Sequence, residues 1–176
     1  PELSFSNRDE IAEFLGEVAD SDDAKPRLYR NTGASFEDVT KEVGLYRAMS
    51  PMGANFGDVD SDGFLDMYLG TGAPPFDFLV PNRLFRNVGG ARFEDVTVSA
   101  NVGHLQKGHG VAFGDIDGDG DQDIYITLGG AFPGDTYPNA LFENPGNANN
   151  WVTLRLEGTS ANRAAIGAVV ELTLSG

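Results

Sequence analysis

The chain has 176 residues, enough for one sizeable domain or two small ones. With 27 acidic against 12 basic residues its formal net charge is −15, which argues against nucleic-acid binding, where a basic face is needed, and permits cationic partners, metal ions among them. There is no cysteine for a disulfide framework or thiolate chemistry, and no apolar run approaches the ~20 residues of a membrane helix, so no membrane insertion is expected.

The first predicted element is a helix. Over residues 7–18, Ile11, Phe14, Leu15 and Val18 follow helical spacing, with Ser6 or Asn7 as N-cap. This short amphipathic helix is expected to cover the edge of the first sheet, and 1–26 reads as a helical and linker segment. From Arg27 the chain repeats itself. RLYRNTG (27–33) is matched by RLFRNVG (83–89) and by ALFENPG (140–146), and FEDVT (36–40) recurs at 93–97. FGDVDSDGFLDMYLG (56–70) is matched by FGDIDGDGDQDIYITLG (113–129). Asp58 and Asp115 are 57 positions apart, as are Leu84 and Leu141, while Leu28 and Leu84 are 56 apart. Ordered anchors at one spacing define a period of about 57 residues over 27–146.

Each period reads as short strands, in keeping with 23 glycines and 9 prolines. Arg83–Arg86 and Arg92–Val96 flank the Gly-rich turn NVGGA and form a predicted hairpin. Gly110–Asp115 leads into the second acidic loop and Asp123–Leu128 leaves it, with Ile124 and Ile126 on one face and Tyr125 and Thr127 on the other. Four strands per period make an all-β chain of four-stranded antiparallel units, the architecture of β-propeller blades. Two acidic loops and three hairpin anchors amount to about two and a half blades, short of a closed ring. The expectation is a segment of a longer chain, or copies that pair their open edges. Over 147–176, Val152, Leu154 and Leu156 alternate with polar residues, as do Ile166, Ala168, Val170, Leu172 and Leu174. Both stretches read as half-buried C-terminal β-strands joined by a polar turn at Asn162 and Arg163, with Trp151 as a core anchor at a strand start. His104 and His109 read as loop residues without a role.

The chemistry lies in the loops. Both follow D-x-D-x-D-G-x-x-D. Hard divalent cations such as Ca²⁺ take about 6–8 oxygen ligands, often from alternate positions of one tight loop. Alternation puts Asp58, Asp60 and Asp62, and Asp115, Asp117 and Asp119, on the inside of their loops. Gly63 and Gly120 at the sixth position permit a sharp bend with positive φ. The bend turns the seventh carbonyl inward, from Phe64 or Asp121, and Asp66 or Asp123 at the ninth closes the shell. The predicted content is two Ca²⁺ ions, one per loop. An EF-hand would need Glu at position 12 and flanking helices. Here that position holds Leu69 or Ile126, inside a strand.

Other readings fit less well. Soft metals want Cys or His. Mg²⁺ keeps several waters and suits fewer protein ligands. A solvated acidic turn without metal is the alternative for a single loop, but two at equal offset, each with Gly at position six, argue against it. A glycosidase pair needs carboxylates flanking a scissile bond, not crowded in one loop.

On these residues the chain resembles the FG-GAP (VCBS-type) repeats, the calcium-binding blades of integrin α-subunit propellers and many secreted bacterial proteins. The stretch NNWVTLRLEGTSANRAAIGAVVELTLSG resembles the start of the ASPIC/UnbV domain, which follows such repeats in cartilage acidic protein and its bacterial relatives; the matching residues include Trp151, Gly158, Asn162, Arg163 and Gly167. The resemblance implies a calcium-binding structural or adhesive module, extracellular, at the cell surface or periplasmic, that contacts protein or itself, and no enzyme. The second expectation is a carbohydrate-binding or polysaccharide-processing propeller. Its candidate surface is the pair of equivalent loops carrying Phe76 and Phe78, and Phe132 and Tyr137.

Overall fold

The computed structural model describes residues 25–75, 79–130, 132–149, 151–160 and 162–173. The helix expected over 7–18 lies outside them, as do Phe76, Phe78 and Leu174. The described residues form antiparallel β-sheets and contain no helix.

The strands are β1 (Tyr29–Asn31), β2 (Phe36–Asp38), β3 (Pro51–Gly57), β4 (Asp66–Thr71), β5 (Arg83–Val88), β6 (Arg92–Asp95), β7 (Gly108–Gly114), β8 (Asp123–Leu128) and β9 (Ala140–Phe142). β1 pairs with β2; β3-β4-β5-β6 make a four-stranded meander; β7-β8-β9 make a three-stranded one. The middle sheet is one whole repeat unit, and its neighbours are parts of the same unit. β8 has the bounds expected from the alternation of DIYITL, and the predicted hairpin is β5–β6, running to Val88 instead of Arg86 and ending at Asp95.

The repeated FEDVT locks each hairpin in the same way. The Asp38 carboxylate accepts from the Thr40 amide (3.0 Å) and hydroxyl (2.6 Å), and Thr40 Oγ1 accepts the Leu28 amide at 2.8 Å. In the next copy Asp95 accepts from the Thr97 amide (3.2 Å) and hydroxyl (2.5 Å), and Thr97 Oγ1 accepts the Leu84 amide at 3.0 Å. Sequence identity is thus hydrogen-bond identity, because an Asx-type turn depends on a short side chain at a fixed offset.

The hydrophobic core lies between sheets. One face of β4–β5 presents Met67, Leu69 and Phe85 to Val39, Val43, Leu45 and Met49. The other presents Tyr68 and Leu84 to Ile124, Ile126 and Leu128 of β8. Strand alternation therefore serves two cores at once. β3 lies against β7 so closely that a Cβ on Gly53 would collide with the His109 carbonyl, and one on Gly70 would come 2.7 Å from the Gly108 carbonyl. Asn55 Nδ2 donates to the Val111 carbonyl across this seam at 2.9 Å. Next to it, Lys107 Nζ and Asp135 Oδ2 form a buried ion pair at 2.7 Å, with Gln106 Nε2 donating to the other Asp135 oxygen at 3.1 Å.

The C-terminal expectation is corrected. No residue of 151–160 or 162–173 is in a strand. Val152, Leu154, Leu156, Val170 and Leu172 are exposed, and their alternation finds no ladder partner among the described residues. Apolar alternation marks what a strand could bury, but a strand also needs a neighbour for its amides and carbonyls. Trp151 is likewise no core anchor: it is 53% exposed and its ring lies against Gly120. Asn162 closes a local turn, its carboxamide accepting from and donating to the Ile166 backbone at 2.7 and 2.9 Å. His109 lies in β7, its Nε2 2.6 Å from the Gly129 carbonyl, whereas His104 is a loop residue.

Candidate metal centre

Each acidic loop joins two strands of one sheet, β3 to β4 and β7 to β8. The strands hold its ends together, with Gly57 opposite Asp66 and Gly114 opposite Asp123 in the ladders. Within that clamp the side chains converge as the alternation predicts. Asp58, Asp60 and Asp62 each offer an oxygen within 4.8 Å of the others, and so do Asp115, Asp117 and Asp119. These triplets can hold a metal ion.

The backbone is shaped by the same residues. The Asp58 carboxylate accepts the amides of Asp62 (3.1 Å) and Gly63 (3.0 Å), and Asp115 those of Gly118 (2.7 Å) and Gly120 (3.1 Å). Gly63 and Gly120 have φ of 89° and 99°, the left-handed bend expected of the sixth position. The fourth position is left-handed as well, at Ser61 (φ 55°) and Gly118 (φ 82°). The glycine of the second loop was the one sequence signal of that requirement. The amides of Phe64 and Asp121 donate to Asp62 Oδ1 (2.8 Å) and Asp119 Oδ1 (3.0 Å), so both seventh residues adjoin their triplets.

The ninth aspartates stand apart from the triplets. Asp66 is fully buried, and its two oxygens accept the amides of Val59 (2.9 Å) and Asn87 (2.8 Å). Asp123 accepts those of Ile116 (2.9 Å) and Asn144 (2.9 Å). Each therefore staples the start of its loop to the end of the next strand, at Asn87 within β5 and at Asn144 just past β9. A carboxylate has about four lone-pair sites, so two remain on each.

The electrostatics show what kind of group the loops fit. Burial, then the charges of Asp62 and Asp58, raise the Asp60 carboxyl above its ordinary value. Asp60 Oδ1 is buried without a hydrogen-bond partner among the described residues. Burial pushes Asp66 up to about 6, against the pull of the two amides it accepts. For Asp117 the Asp119 amide pulls down, but burial and the charges of Asp119 and Asp123 outweigh it and the carboxyl is raised. A buried, unpaired carboxylate oxygen beside two more carboxylates fits a hard cation: the ion would satisfy the orphan oxygen and cancel the repulsion. The donors are all oxygen, which fits that class and not a soft metal.

The first loop is also held from the neighbouring sheet. Gln122 Oε1 accepts the Asp58 amide at 2.9 Å. Asn144 Nδ2 donates to the Val59 carbonyl at 2.7 Å, and Asn149 Nδ2 to the Asp60 carbonyl at 2.7 Å. These partners lie up to 89 residues away in sequence, and no local pattern announces them. Of the aromatics expected to form a ligand surface, Phe132 and Tyr137 are exposed. Tyr137 borders a recess of about 290 Å³ lined also by Leu79, His104, Leu105, Gln106 and Asp135.

No helix among the described residues is long and apolar enough to cross a membrane. A family model described as FG-GAP-like repeat matches residues 7–69 and 77–126, more than half of the chain. The matched residues end before the C-terminal segment. No curated protein matches the chain.

Proposed function

The chain belongs to the FG-GAP-like repeat family, and on that premise we propose that it is a calcium-stabilised structural module of propeller-type blades, acting outside the cytoplasm in adhesion or assembly. The observation that carries this reading is the duplicated loop, in which two triplets of aspartate converge on the same fold position and one buried carboxylate oxygen is left unpaired. Ca²⁺ is the ion preferred, for its high oxygen coordination and tolerance of irregular geometry. Two ions are proposed, one per loop, each drawing on its triplet, on the Phe64 or Asp121 carbonyl, and on the free lone pairs of Asp66 or Asp123. Their role is stability, not catalysis: with free calcium a hundredfold above Kd, each ion adds about 2.7 kcal/mol. An affinity on the order of 10⁻⁵–10⁻³ M suits a calcium-rich compartment.

Calorimetric titration with CaCl₂ tests this, with two ions per chain expected and no heat at millimolar calcium overturning it. Asp117→Ala is expected to lower the melting temperature in calcium and to change it little in chelator. A second reading, carbohydrate binding, draws on one observation, the recess bordered by exposed Tyr137 with Gln106 and Asp135 in its wall. Retention on a glycan array that is lost in Tyr137→Ala would favour it.

A further inference from the structure

Three successive backbone groups of the first acidic loop are held by side chains of the next repeat. They are the Asp58 amide on Gln122, the Val59 carbonyl on Asn144, and the Asp60 carbonyl on Asn149. Gln122 is itself part of the second loop, between Asp121 and the staple Asp123. Asn144 hydrogen-bonds both loops, its backbone amide donating to Asp123 and its carboxamide to Val59 of the first loop. Asn147 Nδ2 donates to Asp121 Oδ1 at 3.2 Å, and Trp151 lies on Gly120. Asn144, Asn147, Asn149 and Trp151 thus together contact both loops.

The contact is built into the sequence at one position. A Cβ on Gly57 would come 2.6 Å from Gln122 Oε1 and would collide with the Phe113 ring, so Gly57 makes room for the glutamine. The corresponding eighth residue of the first loop is Leu65, which is exposed and offers no acceptor. The link therefore runs one way, from the second loop's side chain to the first loop's backbone.

We propose that the two acidic loops form one coupled unit, in which Gln122 and Asn149 position the first loop for its ion and occupancy of either loop raises the affinity of the other. The inference rests on the calcium reading above. An ion in the second loop fixes the Asp121–Asp123 backbone and with it Gln122. The Asp58 amide and Asp60 carbonyl are then already placed, so less ordering opposes the first loop's ion. Linkage makes the benefit mutual. Charge opposes it, because one bound dication weakens the negative field at the other loop; at 0.15 M salt, where the Debye length is about 8 Å, much of that opposition is screened.

The test is a calcium titration of the full chain by calorimetry at 0.15 M salt. Total binding in the wild type is compared with Asp60→Asn/Asp62→Asn, which leaves the second loop, and with Asp117→Asn/Asp119→Asn, which leaves the first. The wild-type product of association constants should exceed the product of the two single-loop constants about fivefold or more. In the Gln122→Met/Asn149→Ala background, the same cycle should bring that factor close to one. Melting curves in chelator confirm that each variant folds. A factor of one or below in the wild type, with both single-loop proteins binding calcium, overturns the coupling and leaves the calcium reading standing. A factor that survives Gln122→Met/Asn149→Ala overturns the roles of those residues. Failure of every loop to bind calcium overturns the calcium reading, and the coupling with it.

Discussion

At the scale of single residues, four aspartates of one loop do two different jobs. Asp66 binds two backbone amides from a buried position, whereas Asp60 carries an oxygen with no partner among the described residues. Asp66→Ala should therefore destabilise the protein even in chelator, by about 1–3 kcal/mol for each amide orphaned, and further in calcium, where a ligand is lost as well. Asp60→Asn should raise the melting temperature in chelator, where it removes a charge that burial and two neighbours disfavour, and lower it in calcium. Thermal melts of both variants in both buffers check the contrast. The same chemistry sets a pH dependence. Asp66 has a native pKa raised to about 6 by burial. A carboxyl raised in the native state adds stability that is full below its ordinary value near 4 and is lost as pH rises through about 6. Without calcium the protein should thus lose melting temperature between pH 4 and 7. Saturating calcium, which stabilises the ionised loops, should remove or reverse that slope.

At the scale of elements, the seam between β3 and β7 depends on residues without side chains. Gly53 stands where any Cβ would meet the His109 carbonyl, and main chain cannot swing aside as a rotamer does. Gly53→Ala is expected to cost about 3 kcal/mol, at the upper end of overpacking substitutions; a denaturant titration that places the variant within 1 kcal/mol of wild type would contradict this. The seam also shows which parts of the structure the sequence could reveal. Strands and hairpins were legible because period-two alternation and Gly-rich turns are local signals, as in DIYITL and NVGGA. The aspartate triplets were legible because one loop carries all three. Gln122, Asn144 and Asn149 were not, since each reaches a loop 64 to 89 positions away and an amide side chain looks the same in solvent. The strands expected after Trp151 failed for the converse reason: their alternation was local, but the neighbour that would pair them is not among the described residues.

At the scale of the whole molecule, the repeat explains which surface is left over. Tyr68 and Leu84 are 0% and 4% exposed because β8 packs on them. Their counterparts one period later, Tyr125 and Leu141, are 39% and 51% exposed. The same side chains on the same strand face thus differ in having, or lacking among the described residues, a sheet against them. Ile116 is exposed in the loop that follows β7, and Val152, Leu154 and Leu156 add more uncovered apolar surface in the C-terminal segment. Burying such surface yields roughly 25 cal/mol per Å², so these faces favour association with another sheet of similar pattern. The 176-residue chain alone should consequently self-associate, its mass by light scattering rising with concentration. Leu141→Glu places a charge on the β8–β9 face, opposite Tyr125, and should shift the equilibrium toward monomer. A wild-type chain that stays monomeric at high concentration would show that this face is satisfied by water, and that the equivalence of Tyr68 with Tyr125 ends at the sequence.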